Sequence, residues 1–339
     1  MRNMFFRARV RALFQGGCAM AAGAAAMLLM AWAPQAAAEY PERAITIVVP
    51  WPAGGATDLA TRRFSEALGH ELGVSLIVEN RPGATGMVGS AAAAKAAADG
   101  YTVLLATAET HAINPYTYSK LPYDPVEDFI PVAAYAVNPY ALVARTNFPA
   151  EDTRELVETI RSQPGKFTYS SASLGSASQI VMEMFKNAEG LDILHVPYQG
   201  EAPAVTALMG EQVDLMVLPV GRAAVFRDSG KVKVYAVTLD ERFPGMSDVP
   251  TFKEEGFDGI QIANWFSLMV PQGTPDGVLK KLEQAVDATV RKPETAAVLA
   301  QLGLGSFQPM PQAEFAEFVA QERKRWGTII EKGGIRAKE

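Results

Sequence analysis

Short apolar runs alternate with segments of helical periodicity through most of the chain. Runs at 44–49, 75–79, 102–106, 141–144, 167–170, 193–196, 213–218 and 233–238 have the length and composition of buried strands. Between the first two, Ala60, Phe64, Ala67, Leu68 and Leu72 fall on one helical face. An alanine-rich stretch from about Met87 to Ala98, closed by Asp99-Gly100, reads as the next helix. Strand–helix alternation predicts parallel sheets flanked by helices, an α/β fold whose ligands bind at the carboxyl ends of the strands. The last periodic segment carries Phe315, Phe318, Val319, Glu322 and Trp326 at helical spacing, a stripe expected to pack on the first part of the fold.

One sheet for so long a chain is large, so two α/β lobes are expected. Val137-Asn138-Pro139-Tyr140 and Gln261-Ile262-Ala263-Asn264-Trp265 read as the crossings between them. The division is then 39–140 with 263–339 for one lobe and 141–262 for the other. Residues 1–38 read as a cleaved export signal: Arg2, Arg7, Arg9 and Arg11 without an acid, an apolar run from about Cys18 to Trp32, and Ala36-Ala37-Ala38 as the cut site. The alternative, a membrane anchor, wants roughly 20 apolar residues, more than this run supplies. The mature chain is thus expected to be soluble and periplasmic, with no membrane insertion.

Cys18, the only cysteine, lies inside that signal, which removes disulfides, thiol nucleophiles and thiolate metal sites from the mature protein. Cutting the signal leaves 27 basic against 37 acidic residues, a net charge of about −10 where the full chain has −6. A diffuse acidic surface argues against nucleic acid, which demands clustered Lys and Arg.

Three loops carry the candidate chemistry, each running from a strand into a helix. The first is Pro50-Trp51-Pro52-Ala53-Gly54-Gly55-Ala56-Thr57-Asp58, where backbone without Cβ can approach a ligand closely. Thr57 or Asp58 is expected to cap the helix that follows; a carboxylate is a poor direct contact for an anion, so Asp58 reads as a capping or water-holding group. The second is Ser170-Ser171-Ala172-Ser173-Leu174-Gly175-Ser176, and the third Tyr198-Gln199-Gly200-Glu201-Ala202-Pro203. Free N–H groups and hydroxyls at a helix start suit a carboxylate. Thr107, Ala108 and Glu109 follow the third strand and should face the same cleft; Glu109 would repel a second carboxylate but pair with an ammonium, or else sit outside on a helix cap. Trp51 is either an apolar wall for an aromatic ligand or ordinary packing, and Tyr198 either a ligand donor or a packed residue. Asp214 is either near the cleft or a structural cap.

From Tyr40 to about Trp326 the sequence resembles the periplasmic binding proteins of tripartite tricarboxylate transporters, the Bug family. The resemblance rests on ordered motifs: Tyr40-Pro41 leading into the 50–58 loop, Glu79-Asn80-Arg81-Pro82-Gly83-Ala84 with Gly86 and Gly89, Asp99-Gly100-Tyr101-Thr102, Leu121-Pro122-Tyr123-Asp124 with Asp128-Phe129, Gly175-Ser176, His195-Val196-Pro197-Tyr198-Gln199-Gly200, and Val249-Pro250-Thr251. It implies a two-lobed type II periplasmic-binding-protein ("Venus flytrap") fold that captures a small carboxylate between its lobes and presents it to membrane transporter subunits. The ligand-binding residues it implies are Trp51, Ala53, Gly54, Gly55, Asp58, Thr107, Glu109, Ser171, Ser173, Gly175, Ser176, Tyr198, Gly200 and Asp214. Departures occur where the family has a glycine (here Ser173), a serine (Ala172), a histidine (Gln179) or a lysine (Gln199). The lost lysine fits a ligand less charged than citrate. No cofactor, metal or catalytic residue is expected, and the protein is expected to be a monomer. A ligand-sensing partner of a membrane kinase would use the same cleft. A hydrolase is the remaining alternative, with Ser176 and His111 as its only candidate pair; Gly-x-Ser-x-Gly, Gly-rich lysine and His-Glu-x-x-His motifs are absent.

Overall fold

The computed structural model describes residues 40–335; the export-signal reading of 1–38 lies outside the described residues. In the body from Arg43 onward, ten strands follow the order β2-β1-β3-β9-β4-β7-β5-β6, with β8 and β10 also on β4. They are β1 (Ile45–Val49), β2 (Leu76–Asn80), β3 (Thr102–Thr107), β4 (Phe129–Ala144), β5 (Thr168–Ser171), β6 (Leu194–Pro197), β7 (Leu215–Pro219), β8 (Lys233–Val237), β9 (Ala263–Pro271) and β10 (Gly305–Ser306). The helices that matter to the site are α1 (Ala56–Leu72), α2 (Met87–Ala94), α3 (Asn114–Thr117), α4 (Thr153–Arg161), α5 (Ala177–Glu189), α6 (Glu201–Met209) and α7 (Val220–Asp228). α8 (Asp276–Val290), α9 (Pro293–Gln301) and α10 (Gln312–Gly333) follow.

The expected parallel pairing holds where the loops are. β1 pairs in parallel with β2 and β3, and β5 with β6 and β7. The centre is antiparallel instead: β9 lies between β3 and β4, and β4 pairs with β7 and β8. The fold is therefore two-lobed with a mixed sheet. Of the two segments expected as crossings, 137–140 is strand throughout and 261–265 is strand from Ala263, with Asn138 opposite Asn264 and Pro139 opposite Ala263. β4 is 16 residues long, roughly 50 Å at strand rise. Its first part pairs with β9, and from Tyr140 it pairs with β7, so one strand serves both halves. Pro131 and Pro139 fit in it because the first precedes a bulge at 131/133 and the second meets the first residue of β9.

Helix faces bury as the periodicity predicts: Ala60, Phe64, Leu68 and Leu72 of α1, and Phe315, Val319 and Trp326 of α10. α2 ends at Ala94, short of the predicted Ala98. α10 does more than cover the first half. Phe315 stands edge-on to Trp265 of β9, while Ile330 and Ile335 join the cluster that holds Phe185 of α5. It packs on α5, on α3 and on β4.

Candidate functional site

The first loop is folded back on its own helix. Gly55 occupies the cap position of α1 and no side chain caps it, so neither Thr57 nor Asp58 takes the expected role. Asp58 lies one turn in, 1% exposed, and accepts from the Gly54 N–H at 2.8 Å, from Arg62 Nε at 3.0 Å and from Asn80 Nδ2 at 2.8 Å. Asn80, at the end of β2, also donates to the Trp51 carbonyl at 3.1 Å. Burial raises the Asp58 pKa, but these donors outweigh it and hold the carboxyl below its ordinary value. Pro52 through Ala56 remain exposed, and the first N–H groups of α1 have no intrahelical acceptor.

The second and third loops of the first half close on this one. Ala84 and Thr85 both have positive φ (47° and 51°), fixed by Asn114 Nδ2 donating to the Thr85 carbonyl at 2.9 Å and by a Thr85–Tyr118 hydroxyl pair at 2.8 Å. Gly86 (φ 83°) packs so tightly that a Cβ there would lie 2.7 Å from Thr110 Cγ2 and 3.6 Å from the Trp51 ring. Thr110 Oγ1 in turn accepts from the Thr107 N–H at 3.0 Å at the end of β3. Two buried polar atoms on this wall have no partner: Trp51 Nε1 and Thr107 Oγ1.

Glu109 opens the turn after β3. Asn264 of β9 reads both of its neighbours: its Oδ1 accepts from the Ala108 N–H at 2.9 Å and its Nδ2 donates to Glu109 Oε2 at 2.6 Å. Burial pushes the Glu109 carboxyl up, opposed by its own backbone N–H, the nearby Thr107 hydroxyl and Asn264.

In the other half, Ser171 ends β5, and its carbonyl accepts from the Tyr198 N–H at 3.0 Å; the Ala172 carbonyl accepts from the Gly200 N–H at 2.7 Å. Those bonds lock the two loops together. Ser176 caps α5, its Oγ donating to the Ser173 carbonyl at 2.8 Å and accepting from the Gln179 N–H. Gln179 Oε1 accepts from the Gly175 N–H at 2.7 Å. Gly200 heads α6 with no side-chain cap, leaving a second set of free N–H groups. Across the cleft, a Cβ on Gly175 would lie 3.3 Å from Thr117 Cγ2 of α3.

The structure thus gathers Trp51, Ala53, Gly54, Gly55, Thr107 and Glu109 on one wall, with Asp58 behind them, and Ser171, Ser173, Gly175, Ser176, Tyr198 and Gly200 on the other. It does not bring Asp214 to either. That residue precedes β7 and bonds Arg145 Nε and the Thr168 N–H, both at 2.8 Å. Thr168 starts β5 whereas Ser171 ends it, so Asp214 sits at the far end of the strands and ties them there. The Ser176–His111 pair does not form. Ser176 is committed to its cap, and His111 is fully buried, bonded through Nδ1 to Thr110 with Nε2 unpartnered.

A serine–histidine contact that the sequence did not disclose is Ser171 Oγ to His195 Nε2 at 2.7 Å. Ser171 also donates to the Ser173 carbonyl at 3.0 Å. With that proton committed, His195 Nε2–H donates to Ser171, and Nδ1 accepts from Gln179 Nε2 at 3.4 Å. The imidazole has no free base aimed at the serine, so the contact braces the loop. Asn80, Asn114 and Asn264 also organise these loops, and the sequence reading gave none of them that role; Asn80 ends β2, Asn114 opens α3 and Asn264 lies in β9.

Cavities of about 390, 620 and 650 Å³ lie elsewhere, the first lined by Lys280, Val290 and Phe307, the second between α1 and α9, and the third between α1 and β2.

The family model of the tripartite tricarboxylate transporter family receptor matches residues 60–335. A UPF0065 protein of Bordetella pertussis is 32% identical over 308 residues, 91% of this chain and 95% of its own. The solved structure of Rpa4515 from R. palustris with adipate superposes with a TM-score of 0.79 at 31% identity, covering 88% of this chain and 99% of that one. The periplasmic binding protein BugD gives 0.76 at 34% identity, with 88% and 100% covered. With these loops facing one another across a mixed sheet and this likeness running nearly end to end, the chain belongs to the tripartite tricarboxylate transporter receptor family of periplasmic solute-binding proteins.

Proposed function

We propose that this protein captures a small carboxylate between its two lobes, 39–140 with 263–339 and 141–262, and delivers it to the membrane subunits of a tripartite transporter. The observation that carries the reading is the pair of uncapped helix starts, at Gly55 and Gly200, one in each half, with the unpartnered Trp51 Nε1 and Thr107 Oγ1 on the first wall. Each such helix start contributes roughly 0.3–1 kcal/mol through its dipole when exposed and more when partly buried. Surface charges farther than about 8 Å are screened at physiological salt, so an acidic protein can still hold an anion. The adipate carried by Rpa4515 supports the ligand class. The contact residues are those gathered on the two walls, with Asp58 positioning the first loop and not touching the ligand. Ligand bridging the walls selects a closed form that the transporter recognises. The protein acts without catalysis, as a monomer, after export and removal of residues 1–38.

The test is a thermal-shift screen of residues 39–339, unfolded and refolded to strip bound ligand, against a carboxylate library. A saturable rise in midpoint for one acid, absent with its amide, is the expected result. No shift with any acid refutes carboxylate capture.

A further inference from the structure

We propose that Glu109 makes the floor of the cleft a cation subsite, so that the captured acid is a zwitterion: a small carboxylate bearing a protonated amine. The inference rests on carboxylate capture by the loops above it and adds the ligand's second group.

Glu109 is crowded by protein yet keeps part of its surface open, unlike its buried neighbours Ala108 and Thr110. Among the described residues, no lysine, arginine or histidine pairs with it; Asn264 Nδ2 donates to it at 2.6 Å. Asn264 cannot turn over to present its oxygen instead, because that oxygen already holds the Ala108 N–H. The groups around the carboxyl therefore donate, an arrangement suited to the ionised form and not to a neutral acid. A carboxylate crowded by protein and served by neutral donors alone lacks a counter-charge.

The second wall points the same way. Burial, and then the charges of Glu109 and of Glu201 at the start of α6, raise the Tyr140 phenol well above its ordinary value. Glu201 has a cation, Arg222 Nε at 3.1 Å; Glu109 is left without one. Independently, Thr107, 1% exposed, has a hydroxyl close to the Glu109 carboxyl that makes no well-formed hydrogen bond to any protein atom. A buried hydroxyl without a partner beside an unpaired carboxylate is what a bound ammonium, with three protons to place, would complete. The ligand's carboxylate then lies at the uncapped helix starts and its ammonium between Glu109 and Thr107.

The experiment is isothermal titration at neutral pH of ligand-stripped residues 39–339 with acids matched except for the amine: succinate and aspartate, glutarate and glutamate, butyrate and 4-aminobutyrate. In wild type, at least one amine-bearing member is expected to bind at least about tenfold tighter than its partner. Glu109→Gln, which keeps an oxygen for Asn264, should erase that preference; Glu109→Ala, which also removes the charge, serves if the amide variant does not fold. Amine-free acids binding equally or tighter in wild type overturn the proposal while leaving carboxylate capture standing. So does a preference that survives Glu109→Gln, or amine-free binding that strengthens toward acid pH, since the carboxyl would then act as a neutral donor. If no acid of either kind binds, carboxylate capture itself falls.

Discussion

His111 shows how far a single side chain can be read in isolation. The sequence places it after β3 and leaves it free to reach the cleft; the fold turns it inward, against Phe129 and beneath Arg323, which donates to its carbonyl at 3.1 Å. Burial and the Arg323 charge push its pKa down to about 3 from 6.5. A depressed folded pKa means that the unfolded chain binds the proton first. The stability that this neutral imidazole brings is present above pH 6.5 and is lost as pH falls toward the folded value. His111→Gln should therefore flatten the fall in urea midpoint between pH 6.5 and 5, a window above most carboxylate titrations. An unchanged slope would show that His111 is protonated in the folded state. Asp214 teaches the same limit: its charge was legible, but not which end of the strand it serves.

At the scale of elements, the first loop and α1 form one unit through Asp58. The loop's glycines were plain in the sequence, and so was the acid. What could not be read is that the acid bonds backward to Gly54 and sideways to Asn80, because Asn80 arrives from another strand. Asp58→Asn keeps the size and loses the charge facing Arg62. The variant should lose about 2 kcal/mol of stability, as expected for buried hydrogen bonds to a charged group, with a larger proportional loss of ligand affinity as the loop loosens. Chemical denaturation and ligand titration measure the two, and an affinity that holds while stability falls would detach Asp58 from the site. Strands that feed loops, β1, β3 and β7 above all, announced themselves as apolar runs. β9 and the first part of β4 did not, because Asn138, Pro139 and Asn264 interrupt them and read as linkers. Pro139 is tolerated at the join because it meets the first residue of β9, and Asn138 pairs opposite Asn264.

The whole molecule is held as one by what crosses between its halves: β4, β9 and α10. The aromatic stripe of α10 was legible as packing, but its contact with α5 was not, since that partner lies far earlier in the chain. Trp326 is fully buried, its Nε1 donating to Glu322 at 3.1 Å, and the neighbouring Gly327 lies against Tyr116. Calorimetry should give one cooperative transition for both halves, and Trp326→Ala should lower that single transition by about 3–5 kcal/mol of stability without splitting it. Two resolved peaks in the wild type would mean that the halves unfold apart. The position of β9 also orders events in time. It fills the gap between β3 and β4, pairing Leu104 with Met269 and Phe129 with Pro271. A chain that emerges amino end first has made both of those neighbours long before the strand that joins them. Until residue 271 exists, the first sheet has a missing middle, so the nascent polypeptide stays threadable almost to its end and closes late, when nearly all of it is in hand.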